Sequence, residues 1–548
     1  MTKKTSIYWF FIALLIIFHA VNNYLWLRQD CYSTVQDMAY HTRMAIGLRQ
    51  GLDSLLSSDM SLAEKVKLGS TAFTNTLYVE WPRLSETIAA VACFKSKDFL
   101  FCIRFLNLLY FTLLIITVYL TGKKIAGPFS GLLAAYLISF YPAIFGLSRK
   151  FATDFPSIAL ASLIICLLVH EKFQKFWYGV VFGTVLGVAA FISGKFLIAI
   201  IGPLLYVILR GVKDNKDNKP HYIINVIVSI ALATSIALIW WHQIFTGPGG
   251  NWMRLCKAGD FYKVPAYTVS ASASRPIPLF YYFGCIYYEA SPLFFVLFFI
   301  GLFFCIKRWH LHRKEYMILV LSISIPYAVL SFIILPYIAK YQYFFPVMSS
   351  VALISVLGLR EASAKRNLRR CLTFLIIASI CFGLYQFFVI SYHCRYPERG
   401  PCERFHAPIK NNHRSIINGF HQLIEKIDSG GKKVGIVHSE HFQRSTYYTL
   451  ENFLRLYDGQ YQIYHSTELA TKPLTSEGFL ENGGRFDFLI TFSNFPDIVD
   501  FSGLTKFAQL GQEKKIAEAT RVFKSFEIIK RDVLQPESVY IFLLKKVK

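Results

Sequence analysis

Charge is scarce in this chain: only 17% of its 548 residues are Asp, Glu, Lys or Arg, while 54% are hydrophobic. A mean hydropathy of +0.40 excludes an ordinary water-soluble enzyme. Acids are scarcer still, 34 against 58 Lys and Arg, for a formal net charge of +24. In a soluble protein that excess would point to nucleic acid. Here the bases crowd into short loops between apolar runs, where they set topology instead, so no nucleic-acid partner is expected. The eleven cysteines show no metal-ligand spacing. Short alternating segments of the kind that build a membrane β-barrel are missing. So are the internal repeats of many secondary transporters. No small-residue cleavage site follows the first apolar run, which therefore reads as a retained span rather than a signal peptide.

What the chain does have is apolar runs of about 20 residues, the length that spans a hydrocarbon core. They fall near 7–27, 100–121, 126–147, 153–170, 176–193, 195–211, 221–243, 289–306, 316–338, 343–360 and 370–392. With the N-terminus inside and the spans alternating, every inner loop is basic. Examples are Lys123–Lys124, the Lys172/Lys175 pair, Arg210 to Lys219, Lys307 to Lys314 and Arg360 to Arg370. That agreement with the positive-inside tendency supports about eleven transmembrane helices, a cytoplasmic N-terminus and an all-α polytopic membrane domain over 1–392.

The outer side then receives a long loop, 28–99, whose run at 81–94 is too short to span comfortably and reads as lying in the interface. It also receives 148–153, an aromatic loop 244–288, and everything beyond 393. That last stretch is polar. Candidate strands at 434–438, 461–464, 486–492 and 539–544 alternate with helical patterns at 413–428 and 504–519, which predicts a C-terminal extracytoplasmic α/β domain over 393–548. No glycine-rich nucleotide loop follows any of these strands. Cys102, Cys166, Cys305, Cys371 and Cys381 lie in or beside apolar runs and read as core residues. Cys394 and Cys402 flank a short outer loop. A disulfide there and two free thiols both stay open.

Charged residues at the outer edge of a bilayer are costly without a partner or a task. Asp37 follows span one, with Tyr40 and His41 at i+3 and i+4 on one helical face. The bland alternative is an acid favoured by a helix N-terminus, and Asp30 competes with it nearer the span. Asp154 precedes Pro156 and reads as a helix cap. Arg149 and Lys150 stand just before it, and three charges at one outer helix end suit an anionic ligand. Lys195 and Lys340 occupy two further outer turns, as site residues or as lysines snorkelling to the interface.

Several short elements follow one another in a telling order. Asp37-Met38-Ala39-Tyr40-His41 follows span one, and Trp81-Pro82-Arg83-Leu84 comes next. Cys102-Ile103-Arg104-Phe105 opens span two. Ser148-Arg149 is followed by Asp154, then Ser193-Gly194-Lys195, then Gln342-Tyr343-Phe344-Phe345-Pro346. This order resembles the GT-C fold glycosyltransferases that use polyprenyl-phosphate sugars, in particular the protein mannosyltransferase and aminoarabinose transferase branch. In that branch the corresponding elements are D-E-x-x-Y or D-x-x-Y-H, [H/K]-P-P-L, alanine-arginine-leucine, s-R-x-x-x-x-D, T-K-G and R-Y-l-l-P. Trp81 and Gln342 depart from the pattern, with Arg83 and Lys340 nearby as replacements.

The resemblance implies inverting transfer of a sugar from a polyprenyl-phosphate donor to a protein, lipid or glycan acceptor at the outer face of the cell inner (plasma) membrane. Asp37 would be the general base and Asp154 a supporting acid. Arg149, Lys150, Lys195 and Lys340 would hold the donor phosphate. Tyr40, His41, Glu80, Arg83 and Tyr343 would line the substrates. Cation use varies within that fold family, and no His/Cys/carboxylate cluster demands a metal, so a divalent cation stays open and no other cofactor is expected. A secondary transporter and a non-catalytic relative serving envelope polysaccharide assembly are the competing readings.

Overall fold

The computed structural model describes residues 3–29, 36–57, 61, 84–214, 218–246, 281–307, 312–334, 341–363 and 366–392, together with five strands beyond 432. By internal contacts the chain forms two units, Met1–Leu27 with Gly51–Ala407, and Arg28–Gln50 with Pro408–Lys548.

In the first unit each of the eleven apolar runs is mainly helical over its described residues. Helix α1 (Lys3–Gln29) leads the chain, α2 (Gln36–Ser57) follows with its residues up to Gln50 belonging to the second unit, and α3 (Leu84–Ala92) is a short segment. Span two is α4 (Phe99–Phe105) running into α5 (Asn107–Ala126). The run at 126–147 divides into α6 (Pro128–Ser139) and α7 (Pro142–Leu147), because Pro142 has no N–H to continue a helix but suits a first turn. Then come α8 (Asp154–His170), α9 (Phe176–Ile192), α10 (Leu197–Asp214) and α11 (Lys219–Thr246). They are followed by α12 (Tyr281–Ala290), α13 (Pro292–Lys307), α14 (Arg313–Ala328), α15 (Met348–Ser363) and α16 (Arg366–Tyr392). Beyond Pro326, α14 passes into a π-helical turn, Val329–Ile334.

Five segments are long and apolar enough to cross a membrane: Ser6–Gln29, Phe99–Ala126, Lys219–Ile239, Arg313–Ser331 and Arg370–Tyr392. Shorter apolar helices fill the bundle between them, including Asp154–His170 and Phe176–Ile192. The chain is a multi-pass membrane protein. Its outer surface carries exposed Leu209, Phe303 and Phe374, a face that belongs against acyl chains, since water would penalise it. Cys371 and Cys381 lie on exposed positions of α16 rather than in the core, and Cys166 and Cys305 are buried as expected. Helices surrounded by lipid gain little from apolar burial against one another, so they associate through close backbone packing. A Cβ on Gly183 of α9 would meet the carbonyl oxygen of Ser229 in α11 at 2.5 Å. One on Gly358 of α15 would meet Gly301 Cα of α13 at 2.1 Å.

In the second unit five strands form one sheet, in the order β2-β1-β3-β5-β4. These are β1 (Lys433–Val437), β2 (Gln462–Tyr464), β3 (Phe488–Ser493), β4 (Phe526–Leu534) and β5 (Val539–Lys546). β1 lies parallel between β2 and β3, while β5 pairs antiparallel with β3 and β4. Parallel neighbours require crossover connections, as in the predicted layered α/β domain. The predicted helices at 413–428 and 504–519 lie outside the described residues. Strand β4 was not anticipated: its Lys530-Arg531-Asp532 run breaks the apolar alternation. As an edge strand it gains from that charge, which discourages pairing with another chain.

Candidate functional site

The site is built where several chain reversals meet at one end of the first unit. α8 and α9 are joined by a short connection, so the C-terminal end of α9 returns to the level of Asp154, the first residue of α8. The 3-10 turn Gly194–Phe196, which carries Lys195, follows α9 directly and packs against α8. A second 3-10 segment, Tyr341–Val347, carries Tyr343 and packs against both that turn and α8. Three of the sequence-selected positions, Asp154, Lys195 and Tyr343, are therefore on elements that touch.

Asp154 is not the cap of α8. That position is Thr153, which makes no side-chain cap bond, and Asp154 stands in the first helical turn, where the positive end of the helix favours an acid. Arg149 and Lys150 are buried in the preceding connection. The guanidinium of Arg149 lies over the rings of Trp26, Phe387 and Phe145, at 5.0, 5.3 and 5.5 Å from their centroids. Its Nε donates to Asn23 Oδ1 at 3.0 Å and its Nη1 to Ser391 Oγ at 3.0 Å. Span one and the last span are thus both fastened to Arg149. The backbone of the connection is fixed as well: Arg104 Nε donates to the Arg149 carbonyl at 3.1 Å, and Asn107 Nδ2 donates to that of Lys150.

Among the described residues the buried Asp, Glu, Lys and Arg side chains are Glu86, Arg149, Lys150, Asp154 and Glu289. All five lie at this end. Glu86 is on α3, and a disulfide between Cys93 and Cys102 ties the end of α3 to α4. Cys102 is thus paired rather than a free core thiol. Glu289 closes α12, which packs on α7 and on the Tyr341–Val347 segment. At the opposite end of the bundle the charges stay partly exposed and pair with each other: Lys314 with Glu171 at 2.6 Å, and Arg210 with Asp214 at 2.9 Å.

Asp37, Tyr40 and His41 lie on α2, at the predicted helical spacing, in the segment Arg28–Gln50 that belongs to the second unit. His41 is buried. Glu80, Arg83, Lys340 and the Cys394/Cys402 pair lie outside the described residues, as do the side chains of Asp37, Tyr40, Lys195 and Tyr343. Within the described residues no three His, Cys, Asp or Glu side chains are grouped to hold a metal ion. Sequence reasoning missed Asn23 and Ser391, which carry no charge. It also missed Glu86 and Glu289, although both show the signal that drew attention to Asp154, an acid at the end of an apolar run.

Comparison with known proteins agrees with this layout. Residues 87–241 match the family described as dolichyl-phosphate-mannose-protein mannosyltransferase. No curated protein sequence matches the chain. Among solved structures, ArnT from Cupriavidus metallidurans in the apo state is similar over 97% of both chains, with a TM-score of 0.60 and 11% identity. The same protein bound to undecaprenyl phosphate is similar over 97% of both chains at a TM-score of 0.59, again with 11% identity. This likeness shows the fold: the chain has the GT-C fold anticipated from its motifs.

Proposed function

We propose that this protein is a membrane glycosyltransferase that moves a sugar from a polyprenyl-phosphate donor to an acceptor outside the cytoplasm. The observation that carries the reading is the confinement of the five charges buried among the described residues to one end of an apolar bundle. Buried charge in such a setting is costly and is commonly retained for a task, and a phosphorylated lipid needs a basic site reachable from both lipid and water. The family match over residues 87–241 and the fold shared with a structure holding undecaprenyl phosphate support the same class. The Cys93–Cys102 disulfide supports an extracytoplasmic position for this end, because disulfides persist in oxidising compartments. The basic loops support a cytoplasmic N-terminus, and a bacterial inner membrane is the proposed location.

In the mechanism Asp37 takes the proton of the acceptor as its heteroatom attacks the anomeric carbon. The carbon–oxygen bond to phosphate breaks on the opposite face, so the configuration inverts. The leaving phosphate gains a charge, which Lys195, Lys340 and Lys150 stabilise. Arg149 adds to that field while holding spans one and eleven. Asp154 orients the lysines around the phosphate. Tyr40, His41, Glu80, Arg83 and Tyr343 line the donor and acceptor. A divalent cation would add to the same positive field.

Transfer from a labelled polyprenyl-phosphate sugar by the purified protein in proteoliposomes tests this. Asp37→Asn should lower the rate at least a hundredfold, as expected for loss of a general base. Wild-type rates in that variant would remove Asp37 from the role, and transport without transfer would overturn the class.

A further inference from the structure

The junction between α12 and α13 holds an acid and a serine that the mechanism above does not use. α12 turns Tyr282, Ile286, Glu289 and Ala290 inward, the spacing of one helical face. Glu289 is 1% exposed, so its carboxyl group is carried into the bundle. Two residues on, Ser291 has φ 86°, the left-handed region that suits glycine, and it is the one non-glycine residue with positive φ among the described residues. Strain of this kind persists where the surroundings over-determine it, and it concentrates at ligand sites. Ser291 also begins α13: its carbonyl accepts from Phe295 N–H at 2.9 Å. Yet its hydroxyl, 1% exposed as a residue, finds no hydrogen-bond partner among the described residues and does not cap the helix. Glycine would relieve the backbone, and a capping serine would use its oxygen. This serine does neither.

The helix that ends at this junction packs on elements of the candidate site. Tyr282 packs on Phe344 of the Tyr341–Val347 segment, with ring centroids 5.4 Å apart. α12 also rests on α7, the helix that leads into Arg149 and Lys150. A carboxylate that accepts two hydrogen bonds, beside a hydroxyl that can donate or accept, matches the vicinal hydroxyls of a sugar ring. A phosphate would be repelled by Glu289.

We propose that Glu289 and Ser291 form the subsite that recognises the hydroxyl groups of the donor's sugar, so that this junction sets which sugar is transferred. The proposal rests on the glycosyltransferase reading above. It is tested with the full-length protein in proteoliposomes, using polyprenyl-phosphate sugars that differ in the configuration of one hydroxyl. Glu289→Gln should raise the donor KM at least tenfold and narrow the preference between epimeric donors, with kcat within about threefold and the thermal midpoint unchanged. Ser291→Gly should raise the donor KM while raising the thermal midpoint, because it removes the strain along with the hydroxyl. Unaltered donor KM and preference in Glu289→Gln would overturn the subsite while leaving the transferase reading intact. So would a loss that falls on kcat and the thermal midpoint together, or on the acceptor KM alone. If wild-type protein transfers no sugar from any polyprenyl-phosphate donor, the transferase reading falls and takes the subsite with it.

Discussion

Arg149 Nε donates to Asn23 Oδ1 at 3.0 Å, joining residues 126 positions apart in sequence. The bond crosses from the first span to the connection ahead of α8. It is made in the core, with Arg149 3% and Asn23 2% exposed. Asn23 also donates from Nδ2 to Ser148 Oγ at 2.9 Å, so one amide satisfies two residues of the same connection.

Asn23→Leu removes the acceptor and leaves the guanidinium buried. Removing one partner of a buried charge costs about 3–5 kcal/mol. The remaining bond to Ser391 and the three rings should hold the loss near the lower end. Ser391→Ala removes a single hydroxyl and should cost about 1 kcal/mol. Thermal unfolding in detergent reads both, and an unchanged midpoint in Asn23→Leu would refute the clamp.

The Cys93–Cys102 bond gives a prediction about compartment and stability together. Protein prepared without reductant should leave these two thiols unreactive to a maleimide, and both should react after reduction and denaturation. Replacing both by serine should cost about 2–3 kcal/mol, the usual figure for closing a short loop. Full maleimide labelling of both thiols in the native, unreduced protein would place this turn on the reducing side and reverse the proposed orientation.

Close packing of α9 on α11 predicts intolerance of a single methyl group. Gly183→Ala puts a Cβ 2.5 Å from the Ser229 carbonyl oxygen and 2.9 Å from its Cα. Both are backbone atoms, so the helices must part. The expected loss is about 1–3 kcal/mol, typical of overpacking. Val181→Ala, on an exposed position of the same helix, should change stability by less than about 0.5 kcal/mol. Equal midpoints for the two variants would show that the helices are not packed on their glycines.

Much of the bundle was legible because the bilayer restricts what a chain can do. An apolar run of spanning length must be helical, and the basic residues between such runs orient them. The described residues of all eleven runs are mainly helical for that reason. The break at Pro142 was legible in principle but was hidden within a run of continuous hydrophobicity. Charged candidates such as Asp154 and Arg149 stood out as misplaced charge. Asn23 and Ser391 did not, since a neutral polar residue in a span is ordinary until its partner is known, and Ser391 is 242 positions from Arg149. Cys102 misled for a related reason. Beside an apolar run a cysteine resembles a small hydrophobe, and only the turn of chain from α3 to α4 brings Cys93 to it. Strand β4 was obscured by the charge that protects its edge.

The position of Ser391 has a consequence for biosynthesis. Arg149 is made 242 residues before the hydroxyl that accepts from its Nη1. During insertion the guanidinium therefore has Asn23 and Trp26 of span one and the nearby Phe145 ring for company until the helix carrying Phe387 and Ser391 follows. The nascent membrane unit carries a cation that only its final helix can fully satisfy. Arrival of α16 is what closes the bundle around Arg149, and a chain truncated before Ser391 should be recognisable to quality control as an open one.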